Sequence, residues 1–271
     1  MQLSKNALGQ IAAQPRLEIP SAKLLGLPEK VLQFGTGVLL RGLPDYFIDK
    51  ANKQGIFNGR VVIVKSTDSD SSAFDKQDGL YTICVRGVEN GKTIEENIIN
   101  ASVSRVLSAN TEWKRILECA HNLEMKIILS NTTEVGIQLT DDNINDEPPS
   151  SFPGKLLAFL QERFKAFNGS AESGMVIVPT ELITDNGSKL ESIVLELAHL
   201  NNLDFKFIEW LETNNIFCNS LVDRIVPGKP NAEELKRTEE TLGYTDELLT
   251  NSEVFRLWAI EGNEKIKEVL S

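Results

Sequence analysis

Cysteine is scarce in this 271-residue chain and histidine scarcer, with three of one and two of the other. Cys84, Cys119 and Cys218 lie far apart and form no Cys-x-x-Cys pair. An odd, scattered set supports neither a disulfide framework nor a structural zinc site. It reads as reduced, buried thiols in a cytosolic protein. His121 and His199 fall in segments with helical patterning, where a surface or half-buried role is the simpler reading. No apolar run approaches the ~20 residues that span a bilayer, and residues 1–10 lack an apolar core of signal-peptide length. Positive charge is also in deficit. Against 39 Asp and Glu there are 28 Lys and Arg, a net charge of -11. That balance repels polyanions and disfavours nucleic acid and anionic membrane as partners. The expectation is a soluble, cytoplasmic protein. An anionic cofactor or substrate would need local cations, and Arg41, Lys65, Arg86 and Arg224 lie close to a strand end or a glycine turn.

What is present is a strand, a glycine turn and a helix in that order. Hydrophobic residues make up 41% of the chain, enough for one large α/β domain or two small ones. In Val31-Leu-Gln-Phe-Gly-Thr-Gly-Val-Leu-Leu-Arg-Gly42 an apolar run meets Gly-x-Gly, and an amphipathic segment follows. A dinucleotide diphosphate is held by such an arrangement. The first glycine permits the sharp turn, the second removes a side chain where backbone and phosphate approach, and the helix start presents N–H groups. The third glycine of Gly-x-Gly-x-x-Gly would fall at Leu40, and glycine pairs also mark ordinary βα turns. The motif alone leaves both readings open. Pro44 fits only the first turn of a helix, which predicts a helix start near Leu40 or later, ended by Gly55.

Residues 1–30 mix polarity with scattered proline and read as a mobile lead-in to a dinucleotide-binding domain over 31–271. Arg60-Val-Val-Ile-Val64 is nearly all β-branched, as in a strand buried on both faces of a parallel sheet. Beyond it, Asp68 stands where an acidic group grips the adenosine ribose. It lies 31 residues after Gly37 where ~20 is usual, so the intervening segment is extended. Asp70 is the alternative, and a capping or loop aspartate is the plain reading of either. Asn90-Gly91 between alternating residues predicts an inserted antiparallel hairpin. Helices are predicted over 111–121, 154–167, 188–200 (capped by Ser188), 205–213 and 231–242, and strands over 126–130, 175–179, 221–226 and 255–260. The acidic, proline-bearing stretch 141–153 reads as a surface loop. This alternation implies an α/β fold, a Rossmann-like doubly wound, mainly parallel sheet. Ligands then sit at the carboxyl ends of the strands, where polar clusters follow at 35–37, 68–70, 131–134 and 180–186. Asn131 and Thr132 thereby join the cofactor candidates, and Glu181 and Asn186 the substrate candidates.

Six blocks run in order from about position 31 to 230: Gln33-Phe-Gly-Thr-Gly-x-x-x-Arg41, Gln77-Asp-Gly-Leu-Tyr-Thr82, Ser130-Asn-Thr-Thr-Glu134, Glu162-Arg-Phe-x-x-Phe-Asn-Gly169, Pro179-x-Glu-Leu-Ile183 and Leu221-Val-Asp-Arg-Ile-Val226. Together they resemble the mannitol dehydrogenase family, the polyol-specific long-chain dehydrogenases, and within it a branch acting on sugar acids. The resemblance implies a Rossmann-like N-terminal domain followed by a mostly helical C-terminal domain that is absent here. It implies reversible hydride transfer between NAD and a small sugar acid, D-tagaturonate to D-altronate, with no metal. It assigns the cofactor segment to Val31, Leu32, Gln33, Phe34, Gly35, Thr36, Gly37, Val38, Leu39, Leu40, Arg41 and Gly42, and the post-strand acid to Asp68. Glu134 matches a glutamate beside the active-site entrance, and Asp223 an aspartate lining the active site. Glu181-Leu182 replaces the Asp-Asn of mannitol-type enzymes, which favours a uronate over a neutral polyol.

Family members also carry a general-base lysine with an asparagine and a histidine a few residues beyond, near the start of the C-terminal domain. Past position 230 this chain offers Lys236, Lys265 and Lys267, none in that pattern. The resemblance therefore implies no catalytic residue in this chain. It would bind NAD, turn over substrate negligibly and rely on the C-terminal domain of the parent protein as partner. A mannitol- or fructuronate-type dehydrogenase and a stand-alone nucleotide-binding module are the alternatives.

Overall fold

The computed structural model describes residues 1–132 and 136–270. Along them the strands are β1 (Leu17–Glu18), β2 (Glu29–Phe34), β3 (Arg60–Lys65), β4 (Tyr81–Glu89), β5 (Lys92–Asn100), β6 (Val103–Ser108), β7 (Ile127–Ser130), β8 (Val176–Pro179), β9 (Ile216–Phe217), β10 (Ser220–Asp223), β11 (Thr250–Glu253) and β12 (Leu257–Ile260). The helices are α1 (Val38–Gly42), α2 (Pro44–Lys53), α3 (Ser72–Lys76), α4 (Ala109–Glu118), α5 (Phe152–Ala166), α6 (Asn186–Leu200), α7 (Phe205–Asn214), α8 (Ala232–Leu242) and α9 (Glu264–Leu270).

Six strands form one wholly parallel sheet in the order β6-β3-β2-β7-β8-β9. Counted within that sheet the order is 3-2-1-4-5-6, that of the doubly wound dinucleotide fold, with the switch point between β2 and β7. The apolar runs are continuous because both faces are buried. Alternate residues Leu32, Phe34, Val62, Val64, Ile128 and Ile177 pack under α4, α5, α6 and α7. Their neighbours Val31, Val61, Ile63, Ile127, Leu129 and Val178 pack on the opposite face with α2, the inserted hairpin and α9.

The hairpin forms as expected. Glu89 pairs with Lys92, and Asn90 and Gly91 both adopt positive φ, 51° and 73°, the turn whose twist suits two strands. It does not stand alone. β1 joins β5 and β11 joins β4, giving a second sheet in the order β1-β5-β4-β11. The expected mobile lead-in is anchored to this sheet, since Leu3, Leu8 and Ile11 share a buried cluster with Leu80, Ile99 and Tyr244. Three apolar residues without a regular period gave no sign of that in the sequence.

Other boundaries also move. The helix after the glycine turn starts earlier than expected, at Val38, and breaks at Leu43 (φ -129°, ψ -74°) before restarting at Pro44. The break follows from the proline ring, which disfavours helical backbone in the residue before it. α5 starts at Phe152, capped by Ser151 with Pro153 in its first turn. Ser188 caps nothing, because α6 already begins at Asn186. The strand expected over 221–226 leaves the parallel sheet as β10 and pairs antiparallel with β12.

All three cysteines are buried and free, and burial pushes each thiol up to about 11, which leaves them unreactive at neutral pH. No described helix is long and apolar enough to cross a membrane. Arg163 on α5 is fully buried. Its Nε donates to the Ser173 carbonyl (2.6 Å) and Nη1 to the carbonyls of Ala120 (3.1 Å) and Asn122 (2.9 Å), tying three loop ends together. Arg163→Ala orphans those acceptors and should cost about 3 kcal/mol or more. Arg163→Lys should recover little, because an ammonium cannot span the same fork. Urea midpoints equal to the parent's would remove this cation from the list of structural ties.

Candidate active site

The site is built where β2 and β7 end. Gly35 donates to the Val64 carbonyl (3.0 Å) and Asn131 to the Phe34 carbonyl (3.2 Å), so the two turns are stitched to the sheet edge. Gly35 has φ +124°, and a Cβ there would meet the Asn131 carbonyl oxygen and Leu40 Cδ1, both at 3.1 Å. Only glycine fits. At Gly37, the residue before α1, a Cβ would meet no described residue within 4 Å. Among the described residues no side chain caps the helix start there. A space over the second glycine and an uncapped first turn suit a backbone-bound anion.

Of the expected cofactor segment only Gly35, Thr36, Gly37, Val38 and Leu39 reach the surface. Val31, Leu32, Gln33, Phe34, Leu40, Arg41 and Gly42 are buried and hold the turn in place. Leu40, where a third glycine is usual, packs against Gly35. The close approach falls instead at Gly42, where a Cβ would stand 2.8 Å from Val226 Cγ1.

After β3, Lys65 Nζ donates to the Ser69 carbonyl and curls the chain back. Asp70 accepts from Ser72 N and Oγ, both 2.8 Å. Those bonds hold its carboxyl below the usual range and commit it to the start of α3. Asp68 is exposed and, among the described residues, accepts from the side chain of Asn110 alone, at 2.8 Å. The two alternatives thus differ, and Asp68 is the one without backbone duty.

At the ends of β7 and β8 the substrate candidates form a latch. Glu181 is buried and accepts from Ser130 Oγ (3.0 Å), Thr132 N (2.8 Å) and Thr132 Oγ1 (3.0 Å). Asn131 Nδ2 donates to the Thr180 carbonyl at 2.9 Å. Asn186 donates to the carbonyls of Pro179, Glu181 and Ser220 and accepts from Ser220 N. Asp223 is exposed on β10, apart from this latch in sequence and joined to it through Ser220. Glu134 lies outside the described residues.

The four cations proposed for an anion serve the protein itself. Arg41 donates to the Leu248 carbonyl at 2.6 Å, and Arg86 to the carbonyls of Val85 and Glu96 and to Asn97. Arg224 Nη1 reaches the Gly42 carbonyl (2.5 Å) and Nη2 that of Glu253 (2.8 Å). Its guanidinium lies 4.4 Å from the Tyr46 ring centroid, and burial lowers its pKa to about 10. Buried backbone carbonyls need donors, and at these positions the arginines supply them. Asp45, buried on α2 beneath the glycine turn, belongs to no motif. The available signal was the i, i+4 spacing of Asp45 and Asp49 on one helix face.

A parallel 3-2-1-4-5-6 sheet with a glycine turn at its switch point defines a Rossmann domain of the dinucleotide-binding kind. The Mannitol dehydrogenase Rossmann domain family matches residues 29–270, and the chain belongs to that family. It is 42% identical over 245 residues to the altronate oxidoreductase of Bacillus subtilis (strain 168), covering 90% of this chain and 51% of that protein. The altronate oxidoreductase of Halalkalibacterium halodurans is 39% identical over 271 residues, 99% of this chain and 52% of that protein. The chain therefore spans about half the length of these relatives. Among solved structures, the Pseudomonas fluorescens mannitol 2-dehydrogenase ternary complex with NAD and D-mannitol superposes with a TM-score of 0.83 at 21% identity, over 97% of this chain and 55% of that one. A D-sorbitol dehydrogenase in substrate-free form gives 0.82 at 22% identity, with the same two coverages.

The latch makes a direct claim. Glu181→Ala strips the partners from Thr132 N, Thr132 Oγ1 and Ser130 Oγ, and should cost about 1–3 kcal/mol. Amide exchange at Thr132 should accelerate about tenfold or more, with the central strands unaffected. Unchanged protection at Thr132 would show that the loop is held by other contacts.

Proposed function

We propose that this chain is the NAD-binding half of an oxidoreductase that interconverts D-tagaturonate and D-altronate. The observation that carries the reading is the glycine turn at the switch point, with the space above Gly37 and no cap on α1. The fold of a protein solved with NAD and the names of the relatives at 39–42% identity support it. NAD supplies the hydride acceptor or donor when bound. The chain's own residues would do the holding. Gly35, Thr36, Gly37, Val38 and Leu39 would grip the diphosphate through backbone N–H groups. Asp68 would accept from the ribose hydroxyls and repel a 2′-phosphate. Asn131 and Thr132 would border the nicotinamide side, held by Thr180 and Glu181.

Alcohol oxidation needs a base for the hydroxyl proton and donors for the developing oxyanion. Glu181 and Asn186 are committed to the latch, so their proposed role is to shape the substrate floor. Glu134 and Asp223 are the proposed substrate-facing acids. The proton-transfer lysine is assigned to the catalytic half of the protein. That half has a candidate seat on the β10–β12 ribbon and the segments that flank it, where Leu221, Ile225 and Phe255 are 58%, 63% and 54% exposed. Surface apolar groups so grouped, beside Asp223, fit a domain interface better than solvent.

NAD at 100 times its dissociation constant should add about 2.7 kcal/mol to the stability of this chain. Calorimetry showing no binding would overturn the reading. Asp68→Ala should narrow the preference for NAD over its 2′-phosphorylated form by about tenfold or more, whereas unaltered selectivity would move that role to the backbone. With NADH and D-tagaturonate the chain alone should show negligible turnover beside the full-length parent. Enzyme-like rates from the 271 residues would place the proton donor within them.

A further inference from the structure

Beneath the glycine turn lies a buried polar cluster that cofactor contact alone does not explain. Gln33 interrupts the apolar run of β2 and is fully buried. Its Nε2 donates to the Gly35 carbonyl (3.3 Å) and to Asp45 Oδ2 (3.4 Å). The Tyr81 hydroxyl, from the inserted hairpin, lies 3.1 Å from the Arg41 carbonyl and 3.3 Å from the same Asp45 Oδ2. Asp45 is likewise fully buried, and its Oδ1 and Gln33 Oε1 have no hydrogen-bond partner among the described residues. Two carbonyls of the turn and α1, those of Gly35 and Arg41, thus hang on one carboxyl through two side chains.

Counting protons decides what the carboxyl must be. Tyr81 has one hydroxyl proton and two acceptors within reach. If Asp45 is ionised, its charge draws that proton and the buried Arg41 carbonyl loses its partner. If Asp45 is protonated, its own O–H donates to the Tyr81 oxygen, Tyr81 donates to Arg41, and Gln33 still serves Gly35. Only the protonated form completes the chain of bonds.

We propose that Asp45 is a positioning residue for the glycine turn, acting through Gln33 and Tyr81 in its protonated form, and that its ionisation loosens the grip on NAD. The inference rests on the NAD reading above. Burial, the largest influence, raises the Asp45 carboxyl to about 7, against the bonds from Gln33 and Tyr81 and the charge of Arg41, with Asp49 adding to the rise. The charged and titratable groups facing it are Arg41 from α1, Asp49 one turn along α2 and Tyr81 from β4. From β2 and β5 come the uncharged Gln33 and Asn100, the latter donating to the Asp45 carbonyl at 2.9 Å. Binding that prefers the protonated acid weakens as pH rises through its pKa. The ordinary value is 3.8, so the folded state keeps a proton that the unfolded chain has lost. Folding stability also declines from about pH 4 to 7 on this account.

The test is NAD calorimetry from pH 5.5 to 8.5 on the parent chain, Asp45→Asn and Tyr81→Phe. The parent's affinity should fall about tenfold across the range, the size of one net hydrogen bond. Asp45→Asn reproduces the donor and acceptor of the protonated acid. It should bind at the parent's low-pH strength with no slope. Tyr81→Phe should bind more weakly throughout, with a shallower slope. A slope in Asp45→Asn equal to the parent's overturns the proposal. Protection factors of the amides at 35–38 in the ligand-free parent give a second readout, which needs neither NAD nor a folded variant. They should fall as pH rises through 7 while those of β3 hold. Flat protection factors overturn the positioning role. Their expected fall without any NAD binding would leave that role standing and sink the cofactor reading instead.

Discussion

Where β2 and β7 end, two turns approach so closely that a side chain at Gly35 would crowd its neighbours, and the rest of the candidate site depends on that approach. Any side chain at Gly35 would press on the Asn131 carbonyl and on Leu40. The pressure has nowhere to go. β2 is hydrogen-bonded to β3 on one side and β7 on the other, and parallel strands keep a spacing of about 4.8 Å. Parting the turns would therefore shift Val64 and Ser130, and through Ser130 the carboxylate of Glu181. The absent third glycine also finds its reason here. Leu40 fills the space beside Gly35, so α1 cannot lie flush at that position. Its close contact is displaced by two residues to Gly42 and Val226.

The cations around the site show how an acid-rich chain uses its few arginines. Arg41 and Arg224 are buried and pointed at main-chain carbonyls, and each carries a ring nearby, Tyr81 for one and Tyr46 for the other. A guanidinium so placed stabilises irregular backbone, because its fork serves acceptors that no neighbouring N–H can reach. An anion at the turn would then meet backbone donors and the dipole of the first helical turn, not a free side-chain charge. Affinity of that kind is geometric. Backbone donors must be held in direction, which gives weight to the buried side chains of Gln33, Asp45 and Tyr81 beneath them.

Much of this fold is legible in the local chemistry of the chain. Continuous β-branched runs marked strands buried on both faces, Asn90-Gly91 marked the hairpin, and Gly35 and Gly37 marked the turn at the switch point where the candidate site lies. What escaped had its cause elsewhere in the chain. β1 and β11 are short, and their pairing with β5 and β4 follows from the hairpin's free edges, not from their own composition. β9 has two residues and joins the sheet only through β8. Leu3, Leu8 and Ile11 are buried by Tyr244 and Leu249, more than two hundred residues away in sequence. Glu181 reads as a polar residue past a strand end, and nothing local distinguishes a substrate contact from an acceptor for Thr132. Asp68 is the nearer match in sequence with Asp70 as its alternative, and the bonds from Ser72 to Asp70 separate the two.

The stretch 221–226 shows why one short segment can serve both sides of a domain. A strand's side chains alternate between faces, and here the alternation divides labour. Val222, Arg224 and Val226 turn inward, where Arg224 holds the Gly42 carbonyl and Val226 lies against the Gly42 backbone. Leu221 and Asp223 on the ribbon and Ile225 just past it are exposed. The inner set fixes the helix that follows the glycine turn, while the outer set presents an acid framed by two exposed aliphatic groups. A one-residue slip of β10 against β12 would exchange the sets, burying Asp223 and exposing Arg224. Register at Ser220 and Ile260 is thus a condition on both, held by Asn186, which clasps Ser220 at N and O, together with the bonds between Asn219 and Glu261.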